Sequence, residues 1–228
     1  MQRRKRKSRW MRRWAKRGLL LFACFLLYQG GFFLKEVVEK IVPVKQAYEM
    51  ETTEYPNSVG SGIVYYNQED PRWGKEKYGP ADQIRDTGCG PTVLAMAVSS
   101  FTGNKLNPKE MCDWAYENGY CSIGSGSYHT LMADGLDHFG IENTVTNRRD
   151  EVKAALQKGK PVIALMGEGH FTSGGHFILL CEMDEDGQVV VADPKSAART
   201  NRTWEFEIIA EEAKMSPVAG GAFWILEV

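Results

Sequence analysis

The chain of 228 residues has no Asp or Glu before Glu36, no glycine-rich phosphate-binding motif, no internal repeat and no zinc-type spacing of Cys and His. These absences exclude a nucleotide cradle, a solenoid and a structural zinc site as organising features. Neither a metal nor a cofactor is expected. Histidine is scarce: only His129, His138, His170 and His176 occur. The missing acids leave the first 17 residues purely basic, with ten of the 28 Lys and Arg. The remainder then carries 18 basic against 29 acidic side chains, a balance that argues against nucleic acid as a partner.

Beyond the basic head, charge of either sign is missing for a stretch. Residues 18–34 form an uncharged, mostly apolar run of 17 residues, near the lower limit for a spanning helix. Positive charge on its N-terminal side predicts a cytoplasmic N-terminus and an extracytoplasmic body, a single-pass arrangement. Large apolar residues and Lys35-Glu36 come directly after the run, so an uncleaved anchor is expected over a cleaved signal peptide. Residues 35–62 read as a stalk and residues 63–228 as the functional domain, with 43% apolar residues in the chain overall and six Trp to build a core.

Cys89 stands out within that domain. It lies in Thr87-Gly88-Cys89-Gly90-Pro91, just ahead of the apolar helical run Thr92–Val98. A thiol at a helix start meets unpaired amides and the positive end of the dipole, which favour thiolate. The glycines beside it are expected to let a substrate backbone approach. Such a thiolate needs a base, and the base needs an orienter. His176 opens the alternating run His176–Met183; the turn Asp184–Gly187 and a second run, Val189–Pro194, come next. This pattern predicts a β-hairpin. A four-residue loop pairs Ile178 with Asp193 and brings Asp193 onto the face of His176, whereas a one-residue slip would separate them.

The segment Gly167–Gly175 reads as a mobile glycine-rich loop bordering the cleft, with His170, Gly174 and Gly175 as substrate-contacting candidates. His129 and His138 fall on a predicted helix, where solvated or capping roles are expected. An oxyanion needs donors; the Cys89 amide supplies one, and a glutamine is expected to supply the second. Gln68 is the first choice, and Gln83, six positions before Cys89, is the alternative.

Four pieces, Tyr66-Asn67-Gln68-Glu69-Asp70-Pro71-Arg72-Trp73, Gly88-Cys89-Gly90-Pro91-Thr92, Gly175-His176-Phe177-Ile178 and Asp193-Pro194, occur in this order. Together they resemble family thirty-nine of the cysteine peptidases, typified by bacteriocin double-glycine leader peptidases, and more closely its stand-alone secreted or membrane-linked relatives. The resemblance implies a papain-like fold and a peptide or protein substrate. It also implies Cys89 as nucleophile, His176 as base, Asp193 as orienter and Gln68 as oxyanion donor. With no transporter in the chain, leader processing does not follow.

The residue patterns give an α+β domain, a helical subdomain packed on an antiparallel sheet. Helices are predicted after Cys89, from Asn107-Pro108 to before Gly119, over about 127–139, over 149–158 and over 204–213. Strands are predicted over 161–166 and 223–228 besides the hairpin. Cys112 and Cys121 could pair in an oxidising compartment. Two other functions fit the same residues: a cell-wall amidase or endopeptidase of the NlpC type, and a catalytically silent peptide-binding module.

Overall fold

Two apolar runs, Val162–Met166 and Phe177–Cys181, are buried along their whole length. Strands with no polar alternation must be covered on both faces, and the fold supplies that cover. The structure, a computed structural model, describes residues 58–60 and 62–228. The basic head, the apolar run 18–34 and nearly all of the predicted stalk lie outside the described residues. Among the described residues no helix is long and apolar enough to cross a membrane.

In chain order the strands are β1 (Ser58–Val59), β2 (Ile63–Val64), β3 (Lys77–Tyr78), β4 (Asp82–Gln83), β5 (Cys121–Ser122), β6 (Gly126–Ser127), β7 (Asn143–Thr146), β8 (Val162–Met166), β9 (His176–Met183), β10 (Gln188–Ala192), β11 (Thr203–Glu205) and β12 (Phe223–Leu226). The helices are α1 (Ile84–Thr87), α2 (Cys89–Phe101), α3 (Pro108–Glu117), α4 (Leu131–His138), α5 (Arg149–Gln157), α6 (Ala197–Thr200) and α7 (Phe206–Glu212). Six strands make one antiparallel sheet in the order β11-β10-β9-β8-β12-β7, and the rest form three two-stranded ribbons.

One sheet face packs on the buried helix α2 and on α3 and α4, through Ile163, Leu165, Phe177, Leu179, Trp224 and Leu226. The other packs on α5 and α7, through Val162, Ala164, Ile178, Leu180, Phe223 and Ile225. Helices thus pack on an antiparallel sheet, as expected, and they cover both of its faces. The fold also takes in Ser58–Val59, ahead of residue 63, because Val59 pairs with Ile63 and joins the core.

Local signals were read well where they rest on caps. Asn107 accepts from the amides of Lys109 and Glu110 at 2.9 and 3.1 Å, and Glu110 accepts from the Asn107 amide at 2.8 Å. This is a complete capping box with Pro108 in the first turn. Two assignments differ. Ser127 belongs to β6, so α4 starts at Leu131. Trp204 sits in β11, paired with Val189 of β10, and α7 begins only at Phe206. Cys112 and Cys121 are unpaired thiols: Cys112 is buried on α3, and the Cys121 sulfur faces the Tyr78 carbonyl at 3.9 Å.

Candidate active site

Cys89 is the first residue of α2, and Gly88 before it offers no side-chain cap. A Cβ on Gly88 would come within 2.5 Å of the Ile84 carbonyl oxygen, so only glycine permits the tight step from α1 into α2. A Cβ on Gly90 would meet Ser127 Oγ at 2.9 Å and Leu131. The two glycines therefore serve internal packing, not the approach of a substrate as expected from the sequence. Between them they fix the sulfur at an uncapped helix start.

Burial by itself pushes the Cys89 thiol up. The hydrogen bond and positive charge of the His176 ring, with the backbone amides of Phe177 and Gly90, outweigh it and hold the thiol below its ordinary range. Burial likewise disfavours a charged His176. Its bonds to Asp193 and Cys89 reverse that and raise it to about 9. The pair is thus disposed toward thiolate and imidazolium at neutral pH. His176 Nε2 stands 2.8 Å from Asp193 Oδ1.

Asp193 is completely buried, and isolated burial of a carboxylate costs several kcal/mol. It is well compensated. Oδ1 also accepts from the Lys195 amide at 2.8 Å, and Oδ2 accepts from Arg199 Nε. Burial would raise its pKa; His176 and Arg199 lower it. Pro194 ends the strand, Ser196 caps α6 by accepting from the Arg199 amide at 3.2 Å, and Thr200 Oγ1 accepts from the Asp193 amide at 3.0 Å. The turn after Asp193 thus folds back to hold it. Sequence reasoning missed Arg199, because its role appears only once α6 curls back over the strand end.

The hairpin reaches the expected pairing by an unexpected route. Near the turn Val189 opposes Met183 and Val190 opposes Glu182, which is the slipped register. It arises because Asp184 and Gln188 close a three-residue loop, Glu185–Gly187, through Asp184 N to Gln188 O at 2.8 Å. A bulge at Cys181 then restores the register, so Val191 opposes Leu180 and Ala192 opposes Leu179. Carried one step further, Asp193 falls opposite Ile178, on the side of His176.

The motif around Gln68 is a brace. Arg72 donates to Asp70 at 3.0 and 2.7 Å, and Trp73 Nε1 donates to the Asn67 carbonyl at 2.7 Å. The Gln68 amide donates to Pro194 O at 2.7 Å, and Tyr65 Oη to Asp193 O at 2.8 Å. Gln68 Nε2 donates to the Arg85 carbonyl at 2.8 Å and, more weakly, to Ile84 O at 3.4 Å. Lys195 Nζ reaches the same Arg85 carbonyl at 2.6 Å. The Asp193 side and the approach to Cys89 are tied together here. Gln68, placed first as oxyanion donor, has its side-chain N–H groups turned to these carbonyls. Gln83 precedes α1, half-buried, and among the described residues its side-chain amide has no partner.

A cleft of about 240 Å³ opens beside Cys89. Besides Cys89 it is lined by Asp86 and Thr87 of α1, by Gly124–Ser127 and His129, and by Leu165, Gly175 and Phe177 of the sheet side. Of the three residues expected to contact substrate, Gly175 lines the cleft, and His170 and Gly174 are not among the lining residues. His170 is bound instead to Glu212 through its ring and, at 2.8 Å, its amide, with its ring 5.9 Å from Trp204. His138 packs on Trp114 at 4.9 Å. His129, expected on a helix surface, lies in the cleft, because α4 starts later than predicted and the turn before it carries the ring inward. Among the described residues no cluster of His, Cys, Asp and Glu forms a metal site.

Among solved structures, the peptidase domain of Streptococcus ComA, a bi-functional ABC transporter involved in a quorum-sensing pathway, is similar over 64% of this chain and 93% of that one. Its sequence identity is 17% and the TM-score 0.45. None of the curated proteins compared matches the chain. The family model described as Peptidase_C39 like family matches residues 61–216, most of the chain and all of the cleft. The chain belongs to the Peptidase_C39-like family and is a cysteine-type peptidase.

Proposed function

We propose that this peptidase hydrolyses peptide bonds with Cys89 as nucleophile, His176 as acid and base, and Asp193 as orienter. The observation that supports this most is the buried pair of His176 and the fully buried Asp193, 2.8 Å apart, with Cys89 at the start of α2 on the adjoining cleft. The thiolate attacks the substrate carbonyl carbon, and the carbonyl electrons move onto oxygen. The imidazolium gives its proton to the leaving amine as the C–N bond breaks. Water then attacks the thioester, losing a proton to His176, and the acid product leaves with the sulfur restored.

The oxyanion is stabilised by the Cys89 amide and by Gln83, whose side-chain amide has no partner among the described residues; Gln68 holds the two sides of the site together. The scaffold is read as papain-like, with the helix and sheet sides meeting at the cleft. The basic head and the apolar run 18–34 support a single-pass anchor that places this domain outside the cytoplasmic membrane.

A thiol-directed probe tests the chemistry. Iodoacetamide applied to the full chain across pH, with the modified residue mapped by mass spectrometry, is expected to label Cys89 ahead of Cys112, Cys121 and Cys181, well below the ordinary thiol range. Labelling of Cys89 only above that range would overturn the reading. Peptide substrates and purified peptidoglycan, compared side by side, separate a protein-directed peptidase from a cell-wall endopeptidase.

A further inference from the structure

We propose that His129 binds the substrate, donating a hydrogen bond from Nε2 to a backbone carbonyl of the peptide in the cleft. The inference rests on the reading of this cleft as the place where substrate meets Cys89. It adds a second histidine that takes no part in the proton transfers.

His129 lines the same cleft as Cys89, with Ser127, Gly175 and Phe177. Its Nδ1 is 2.9 Å from Ser216 Oγ. Ser216 is almost completely buried, and its Oγ also accepts from the Ala219 amide at 3.2 Å. A hydroxyl has one hydrogen to give and two lone pairs. With one lone pair used by Ala219, the arrangement that leaves nothing unpaired has the hydroxyl donating to Nδ1. The opposite arrangement would strand a buried hydroxyl hydrogen without an acceptor, at a cost of about 1–3 kcal/mol. The ring proton is therefore on Nε2, which has no partner among the described residues.

The ring is also held in place. Phe177 meets it edge-on at 5.7 Å and 83°. Ser216 itself is fixed in a closed turn, its amide donating to Gly221 O at 3.1 Å and its carbonyl accepting from Gly220 N at 2.9 Å. Burial and, after it, the nearby Lys214 keep the imidazole below its ordinary range, hence neutral. A neutral, oriented N–H on a ring that lines a cleft suits an uncharged acceptor, and an extended peptide presents carbonyls at regular intervals.

The test compares two alkylating probes on the full chain. Iodoacetamide needs only the Cys89 thiolate; a mixed set of tetrapeptidyl vinyl sulfones needs the cleft as well. His129→Leu is expected to slow capture of Cys89 by the peptidyl probes roughly 3- to 10-fold, the worth of one neutral hydrogen bond, and to leave the iodoacetamide rate unchanged. His129→Gln, which can place an amide N–H near the same point, is expected to recover most of the loss. Ser216→Ala, which keeps the ring and removes its lock, is expected to fall between. Equal slowing of both probes, no slowing of either, or no recovery with Gln overturns the proposal. If the peptidyl probes do not capture Cys89 in the unaltered chain while iodoacetamide does, the cleft reading itself fails and carries this inference with it.

Discussion

Among the described residues two histidine–carboxylate pairs stand in this domain, and only one of them is buried. His176 and Asp193 have side chains 7% and 0% exposed; those of His170 and Glu212 are 58% and 14% exposed. In the first pair water is excluded, so each charge must be answered by a fixed partner: sulfur on one side of the imidazole, carboxylate on the other, and Arg199 and the Lys195 amide behind the carboxylate. In the second, the ring lies open to solvent, which screens the pairing and leaves it worth about 0–1 kcal/mol. The same residue types at contact distance thus give a buried, charge-compensated pair in one place and a surface tether in the other. Burial and the third partner make the difference.

The sharpest way to test that contrast is to remove each member. Cys89→Ala is expected to lower peptide hydrolysis by on the order of 10⁴-fold or more while the protein stays folded, checked by initial rates and circular dichroism. His176→Ala is expected to do nearly as much, whereas His170→Ala should stay within about 2-fold of the parent rate. Comparable losses for the two histidines would erase the distinction. Asp193→Asn is expected to cost roughly 10²- to 10⁴-fold in kcat by loosening the ring's tautomer and orientation. It should also cost about 3–5 kcal/mol in chemical denaturation, since it leaves the partially buried Arg199 charge poorly answered. Glu212→Gln should change neither by a comparable amount.

The acidity of the pair sharpens the comparison further. The active form needs the sulfur deprotonated and the ring protonated. Activity should therefore rise at a pH below the ordinary thiol range, hold through neutrality, and fall as His176 loses its proton near pH 9. The stability linked to His176, whose pKa is raised on folding, is fully present below about 6.5 and is lost as pH rises through about 9. That linked to Asp193, whose pKa is lowered, is present above the ordinary carboxylate range and lost as acid protonates it. A rate profile with no alkaline fall up to pH 10 would break the scheme. The smallest effect lies far from the cleft: Asn107→Ala should remove the cap of α3 and cost about 1 kcal/mol in thermal or urea unfolding, with kcat unchanged.

Much of the fold was legible because its signals are local. Asn107-Pro108 announced a helix start, Gly140 and Gly159 stand where α4 and α5 are closed, and the apolar runs of β8 and β9 read as strands. Cys89, His176 and Asp193 stand out by their immediate settings in the sequence, and the structure places them near one another. The elements missed, α1, α6, β7 and the short ribbons, have too few residues to show a period. Trp204 was read as helical because its sequence fits either state, and pairing with β10 decided it. Gln68 was chosen for its motif, but the motif turned out to be a self-braced turn that spends the amide on backbone carbonyls.

By itself, then, the amino-acid order determined which residues are unusual: a thiol at a glycine-flanked helix start, a histidine opening a strand, an aspartate closing the next, a purely basic head before an apolar run. These follow from local sterics, periodicity and charge, which neighbouring residues settle among themselves. Only the tertiary structure decided that Cys181 bulges out to cancel the slip of the turn, that α6 returns Arg199 to Asp193, and that Ser216 swings in to orient His129. Those choices join segments far apart in the chain. They depend on which arrangement leaves the fewest buried polar groups unpaired, a balance that exists only once the core has closed.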